Sequence, residues 1–374
     1  MGKSGLMKMS QLPSGEKGSI LVWTAVGLSV LIAFAGLATD IPYLYVAKQQ
    51  AQTAADAGAL AGAYGLLISQ SQATTDAKAF AAMTPIIGRS LTPEQVEISL
   101  QSSSGGTTPD QVQCGAYRDV AHGNPMPLFL LPILRLFGLS RTTVDLSATA
   151  TARIINTCRS SCFKPWSIAD RWIDVNGNGK FDSGIDTYVP PNSPGATGYQ
   201  YPRDEGLEVT LKAGSGNAIV PSFYYAVDFP PQNRGSPVTG ASAYQDNIST
   251  CGPNSFVSIG DQLQQEPGNM TGPTKQGVQD LIDQDPTAVW DASCGCVKSP
   301  LGASSPRLIR IAFFDPRFPV VSGRKYVTAV NVGGFFIEGV QSNGDVTGRY
   351  TRVSSLRGTP DPACAFLQMV QLVR

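Results

Sequence analysis

The chain has 374 residues, and its 28 Lys and Arg balance 28 Asp and Glu, so that it carries no formal net charge. Only 15% of the residues are charged and no basic cluster is present to neutralise phosphates, which argues against a nucleic-acid partner. The 39 glycines and 27 prolines indicate an exported, β-rich body with many turns. The length leaves room for one compact unit near a membrane anchor and a larger one beyond it.

Residues 18–39 form an uncharged, mostly apolar run that covers about 30 Å as a helix, enough to span a bilayer. A basic segment, residues 1–17, precedes this run, and Asp40 follows it directly. By the positive-inside rule the N-terminus lies in the cytoplasm. We therefore expect a single-pass protein of the bacterial inner membrane, with its bulk in the periplasm or outside the cell.

Two alternatives to a permanent anchor remain open. A secretory signal peptide has the same basic and apolar parts, and Ala33-Phe34-Ala35 offers a cleavage site. A buried core helix is the other alternative, although soluble helices rarely run this far without a charge. The anchor is favoured because the apolar run and the helical pattern both continue past the cleavage site.

An alanine-rich helix follows the apolar run and is predicted to continue to about Met83, with a kink at Pro42. Its small residues form a seam suited to close packing, either against a partner helix or against the protein's own sheet. The seam comprises Ala55, Gly58, Ala59, Gly62 and Ala63.

Residues 40–157 are predicted to form an exported α+β module. Alternating patterns indicate strands at 96–100, 111–120 and 143–154, and a short helix near 128–137. The apolar run 126–139 is too short and too proline-rich to span a membrane. It either covers the sheet, which is favoured, or dips into the membrane interface.

Residues 158–374 are predicted to form a β-rich, sandwich-like domain or an open barrel. Strand patterns occur at 206–211, 222–227, 308–314, 327–332 and 334–340. One helix interrupts them between Pro273 and Asp283, with Thr274 as its expected N-cap. The fold class is thus α+β, with an N-terminal transmembrane helix.

The order of residues after the apolar run resembles the N-terminal region of TadG-like proteins, which assemble Flp pili of the tight-adherence system. The resemblance rests on Asp40, Tyr43, Tyr45, Gln49, Gln50, Gln52 and the run from Ala54 to Ala63, and it extends through Val112-Gln113-Cys114 and residues 143–150 to about residue 157. It implies a pilin-like module and an anchored accessory subunit. Its implied partners are the inner membrane and pilus or secretion-system subunits, and no small-molecule substrate is implied. Trp23 occupies the position, five after Gly18, where pilins place a glutamate, which argues against processing by a prepilin peptidase.

Residues 174–186 resemble calcium loops of the dockerin and EF-hand class. Side-chain oxygens at loop positions 1, 3, 5 and 9, with a backbone carbonyl at position 7, suit a hard cation such as Ca²⁺. The closing acid comes one residue late, so we expect a weak structural site. The predicted ligands are Asp174, Asn176, Asn178, Lys180 through its carbonyl, Asp182 and Asp186. The alternative is an ordinary Asn-Gly turn.

Seven cysteines all follow the predicted membrane segment, which suggests at least two disulfides and one unpaired thiol. Cys158–Cys162 is one candidate pair, and Cys251 is expected to pair with Cys294 or Cys296. Zinc is less favoured, because the chain lacks paired Cys-x2–4-Cys knuckles and has a single histidine.

The sequence favours a non-catalytic role. His122, the single histidine, lies in a predicted turn, and no nucleophile elbow or phosphate loop is present. The metal site of von Willebrand A domains has the motif Asp-x-Ser-x-Ser. Residues 291–295 follow this motif except at the last position, where Gly295 replaces the serine. We therefore predict a membrane-anchored assembly or anchoring protein of Flp-type pili. The alternatives are a surface adhesin or Ca²⁺-dependent binding module, and an exported hydrolase.

Overall fold

The computed structural model describes residues 17–129, 142–213, 219–268, 270–319, 324–355, 358–364 and 366–373. The chain divides into two compact units. The first holds the chain up to residue 54 together with residues 82–96 and 115–148, and the second holds residues 55–81, 97–114 and 149–374. The predicted boundary at residue 157 stays a prediction.

The structure contains four α-helices in its described part: α1 (Lys17–Leu66), α2 (Gln70–Ala82), α3 (Ala241–Ser249) and α4 (Thr271–Asp283). The single helix predicted to reach Met83 is therefore wrong. The chain leaves helical geometry at residues 67–69, and the Ser69 hydroxyl accepts a hydrogen bond from the backbone N–H of Gln72 at 3.1 Å, which starts α2. The predicted cap of α4 is also wrong, because Met270 is its N-cap and Thr274 lies buried inside the helix.

The strands are β1 (Val96–Gln101), β2 (Gln111–Arg118), β3 (Met126–Pro127), β4 (Thr143–Val144), β5 (Leu146–Asn156), β6 (Arg159–Ser160), β7 (Phe163–Ala169), β8 (Glu208–Ala213), β9 (Phe223–Ala226), β10 (Val257–Ser258), β11 (Gln262–Gln264), β12 (Val289–Asp291), β13 (Cys296–Lys298), β14 (Leu308–Phe314), β15 (Tyr326–Val340), β16 (Val346–Tyr350), β17 (Val353–Ser354) and β18 (Leu367–Val373). The α+β prediction is thereby confirmed. The helix predicted near residues 128–137 falls largely on residues 130–141, outside the described part.

The first unit is organised around the middle of α1. Asp40 is fully buried there, and its carboxylate accepts the backbone N–H of Phe129 at 3.0 Å. The ring of Tyr43 meets the Phe129 ring edge-on, with centroids 4.8 Å apart. Asp40 therefore ties the start of the apolar run 126–139 to the helix at the point where the long uncharged stretch ends.

A five-stranded sheet has the order β1-β2-β5-β18-β17, and its strands β17 and β18 lie in the second unit. The C-terminal strand β18 runs antiparallel to β5, with Val370 opposite Ile154. The chain's last described residues thus return to the strand that leads into the β-rich part. Antiparallel pairing lets β5 bury one face only, and its residues alternate between buried and more exposed positions.

The second unit also contains a closed barrel. Six strands follow one another in the order β15-β14-β7-β9-β8-β16, and β16 pairs back onto β15, with β11 added at the outer edge of β15. The predicted β-rich body is confirmed, and it closes into a barrel rather than forming a sandwich because the fifteen residues of β15 are long enough to pair with three strands. β14–β7 and β8–β9 are parallel pairs.

The barrel strands β7, β9 and β14 are buried on both faces. Every residue of β7 and β9 is buried. One face packs against α3 and α4, through Tyr244, Ile248, Val278 and Leu281. Strands that are buried on both faces have mostly apolar residues at successive positions. This explains why the sequences of these strands show no clean alternation of apolar and polar residues.

Candidate functional site

The N-terminal half of α1 exposes its large apolar side chains. Leu21 and Trp23 are each 74% exposed and Phe34 is 65% exposed. The helix from Ile20 is long and apolar enough to cross a membrane, by length and composition. Isolated apolar side chains are common on soluble surfaces, but a continuous helical stretch of them indicates a non-aqueous environment or a partner.

The small-residue seam of α1 packs within the protein itself. A Cβ added at Gly58 would come within 2.5 Å of the Cys114 sulfur, and one at Gly62 would come within 2.7 Å of a Val112 methyl group. On the other side, α2 approaches, with Ala77 Cβ 2.9 Å from the same Gly62 position. Of the two roles expected for the seam, the structure supports intramolecular packing.

The predicted calcium loop brings its polar side chains together by hydrogen bonds. The Asp174 carboxylate accepts the backbone N–H groups of Gly177 and Gly179 at 2.8 and 2.7 Å. Asp186 accepts the backbone N–H groups of Val175 and Asp182 at 2.9 and 2.7 Å. The closing acid, although one residue late, thus bonds to the start of the loop and to its ninth position.

The middle of the loop is held by its two asparagines. Asn176 and Asn178 each accept the backbone N–H two residues further on, at 3.1 and 2.8 Å. Their amide groups donate to Asp182, and these two hydrogen bonds lower the pKa of the exposed Asp182 carboxyl. Lys180 contributes its backbone N–H to this arrangement.

The described residues contain no group of three or more His, Cys, Asp or Glu side chains placed to hold a metal ion. The hydrogen bonds inside the loop are those expected of successive Asx turns, so an ordinary turn accounts for them. The assignment of Asp174, Asn176, Asn178, Lys180, Asp182 and Asp186 as Ca²⁺ ligands therefore stays a prediction.

Comparison with known families gives one finding, on α1. Residues 18–65 match the Tad family model, Putative Flp pilus-assembly TadE/G-like. The match confirms the predicted resemblance over these residues, here called the Tad segment. The resemblance predicted for residues 66–157 stays a prediction. Comparison with curated proteins and with solved structures finds no significant match to this chain.

The Tad segment includes both surfaces of α1 described above. Its first half carries the exposed apolar side chains, and its second half carries the buried seam with Gly58 and Gly62. The match ends at residue 65, close to the break between α1 and α2. The family model thus describes this helix and leaves the barrel without an assigned role.

All seven cysteines follow the Tad segment, and six of them form three disulfides: Cys158–Cys364, Cys162–Cys251 and Cys294–Cys296. The expectation of at least two disulfides agrees with this arrangement, but both suggested pairings are wrong. Cys158 precedes the short strand β6 in the chain and Cys162 follows it, and each of them bonds to a distant part of the chain. Cys114 is the unpaired cysteine, and burial raises the pKa of its thiol to about 12.

His122 lies in a turn, as predicted. Its Nδ1 is 2.7 Å from the Asp119 carboxylate, and its ring stacks on Tyr117 with centroids 4.5 Å apart. The carboxylate and the backbone N–H of His122 close the turn at 2.8 Å. Through these contacts His122 stabilises the turn in which it lies, within the first unit.

A buried carboxyl group in the barrel was missed by sequence reasoning. Asp170 is fully buried directly after β7, and it accepts hydrogen bonds from the Tyr188 hydroxyl at 3.0 Å and the Tyr199 backbone N–H at 2.8 Å. Burial nevertheless raises the pKa of Asp170 to about 6. The sequence gives no signal for this site, because the two tyrosines that donate to Asp170 lie 18 and 29 positions further along the chain.

Proposed function

We propose that the chain is a membrane-anchored, non-catalytic component of Flp pilus assembly. The match of the Tad segment to the family model carries this proposal. The exposed apolar half of α1 supports the anchoring part of it, because burial of such side chains in lipid stabilises a spanning helix. In this proposal residues 18–39 span the inner membrane and residues 40–374 lie outside the cytoplasm.

The proposal assigns different tasks to the two halves of the Tad segment. Residues 18–39 anchor the chain, and the seam that contains Gly58 and Gly62 fixes α1 to the exported body. The expected partners are the membrane and pilus or secretion-system subunits, and neither a nucleic acid nor a small-molecule substrate is involved.

A gene deletion complemented by three versions of the gene tests the role. We expect cells that lack the chain to lose Flp pili, and the full chain to restore them. Residues 40–374 exported behind a cleavable signal should fail, whereas a chain with residues 18–39 replaced by an unrelated spanning helix should succeed. Normal piliation in the deletion strain would refute the proposal. A surface adhesin would leave pili intact and reduce attachment alone.

Reporter fusions test the topology separately. Three lysines precede the apolar run, so a reporter that is active only outside the cytoplasm should work when fused after Ala63 and fail before Gly18. The mass of the mature N-terminus tests cleavage, and a start at Gly36 would identify a signal peptide instead of an anchor.

We also propose that residues 174–186 take a weakly bound structural Ca²⁺. The support is chemical: five side chains with oxygen ligands lie in one loop, and Asp186 bonds to the backbone N–H groups of Val175 and Asp182. Exported proteins meet millimolar calcium, for which weak sites suffice.

A further inference from the structure

Two buried cations line one cavity of the second unit. The cavity has a volume of about 270 Å³, and Lys164 and Arg310 both contribute to its wall. The two residues are 3% and 7% exposed. Burying a charge without an opposite charge is costly, so a pair of like charges in one cavity needs an explanation.

Backbone oxygens satisfy only part of the hydrogen-bonding capacity of these cations. The Lys164 ammonium donates to the carbonyl of Thr250 at 2.8 Å. The Arg310 guanidinium donates through Nε and Nη2 to the carbonyl of Ser354, at 2.8 and 2.5 Å. Among the described residues, Arg310 Nη1 and the other two ammonium hydrogens have no acceptor, since an ammonium carries three donors and a guanidinium five.

No carboxylate of the described chain forms an ion pair with either cation. Asp285, behind the cavity wall, is occupied by the hydroxyls of Ser299 and Ser305 at 2.7 and 2.6 Å. Burial and then the positive charge of Arg310 lower the pKa of Lys164 to about 7. The positive charge of Arg310, and that of Lys164 when it is protonated, thus has no carboxylate partner among the described residues.

The mouth of the cavity is polar and open to solvent. Thr250, Gln284 and Ser304 line it and are exposed, whereas Lys164, Ile309 and Arg310 form a buried floor. The disulfide between Cys162 and Cys251 fixes one wall, because both cysteines line the cavity. The site is therefore accessible and held by the rigid ends of β7 and β14.

We propose that this cavity binds a small free oxyanion such as phosphate. Charge-assisted hydrogen bonds from Lys164 and Arg310 would hold its oxygens, and the exposed hydroxyl of Ser304 lies in the same wall. The volume admits a tetrahedral oxyanion with one or two waters. The inference is independent of the proposed pilus role and uses no residue of the Tad segment.

Titration of the full chain in detergent micelles tests this proposal. Inorganic phosphate is added at constant ionic strength with chloride as the balancing anion, and binding is followed by calorimetry and by the melting temperature. We expect phosphate to raise the melting temperature and chloride to leave it unchanged. A phosphate concentration of about 10 mM is a 10-fold excess over a millimolar dissociation constant. If phosphate at this concentration produces neither heat nor a change in melting temperature, the proposal is overturned.

Matched lysine variants locate the site. Lys164→Gln should weaken phosphate binding by about ten- to a hundredfold, the loss expected for a charged hydrogen bond. Lys275→Gln, at an exposed position of α4, should bind as the wild type does. Wild-type affinity in Lys164→Gln would overturn the assignment.

A third variant covers the case in which Lys164→Gln does not fold. Gln284→Glu is nearly isosteric and exposed at the cavity mouth, and its negative charge should weaken phosphate binding by about two- to fivefold. Unchanged affinity in this variant would contradict the location. Binding of glutamate in place of phosphate would show that the cavity takes carboxylates and would overturn the choice of ligand.

Discussion

The three disulfides differ greatly in the length of chain that they close, and this difference predicts unequal effects on stability. Cys158–Cys364 joins residues 206 positions apart, whereas Cys294–Cys296 joins residues two positions apart. In the chain-entropy description, a closed loop of the first length removes enough freedom from the unfolded chain to stabilise the folded state by about 5 kcal/mol. For the shortest loop the same relation gives about 1–2 kcal/mol.

Two double variants measure this difference. Cys158→Ala with Cys364→Ala should lower the free energy of unfolding several kcal/mol more than Cys294→Ala with Cys296→Ala does. Loss of two buried sulfur atoms adds to the first effect, since Cys158 and Cys364 are 4% and 0% exposed and belong to the barrel core.

Guanidinium unfolding of the oxidised full chain in detergent micelles provides the assay, with fluorescence of the buried Trp166 as the signal. A larger loss for the Cys294 and Cys296 variant than for the Cys158 and Cys364 variant would refute the entropic reasoning. Recovery of seven free thiols from exported native protein would refute the pairings themselves.

Three further predictions concern a buried acid, a helix contact and the calcium loop. Because the pKa of Asp170 is raised from 3.8 to about 6, the folded state holds its proton more tightly than the unfolded state, and the free energy of unfolding should fall by about 2 kcal/mol between pH 4 and pH 7. Asp170→Asn should remove this part of the pH dependence, and a pH profile like that of the wild type would contradict the assignment. Gly62→Ala should destabilise by about 1–3 kcal/mol in thermal melts, whereas Gly27→Ala, which has nothing within 4 Å of its new Cβ, should not; equal effects would disprove the close contact. Several millimolar Ca²⁺ should raise the melting temperature of the wild type but not of Asp174→Ala, with a dissociation constant on the order of 10⁻⁴ to 10⁻³ M, and no change in either protein would reduce the loop to an ordinary turn.

Local patterns predicted the elements whose stability is local. The uncharged run of α1, the alternation of β5 and the apolar runs of β14 and β9 all appear close to their predicted bounds. Residues 327–332 and 334–340 were predicted as two strands with Gly333 between them, yet β15 is continuous. A side chain at Gly333 would come within 2.8 Å of the Phe313 ring, so the glycine there serves close packing and does not end a strand.

Features that depend on distant parts of the chain could not be predicted. The break after α1 was missed because alanines continue on both sides of it, and the helix α3 because its nine residues show no strong periodicity. Cys162 bonds to Cys251, 89 positions away, and sequence spacing carries no information on that choice. The pair Lys164 and Arg310 was missed for the same reason, since each reads as a single polar residue inside an apolar strand.

The return of β18 to β5 has a mechanical consequence. In the proposed pilus role the chain bears tension, and a pull from its N-terminal side enters the barrel along the chain through β5. The antiparallel register from Gln368 opposite Asn156 to Val373 opposite Thr151 lies in that path. The disulfide between Cys158 and Cys364 follows, since Cys158 lies two residues after β5 and Cys364 three residues before β18. Force is therefore transmitted to both ends of the β-rich polypeptide at once, so the barrel strands between them are shielded from being peeled away one by one.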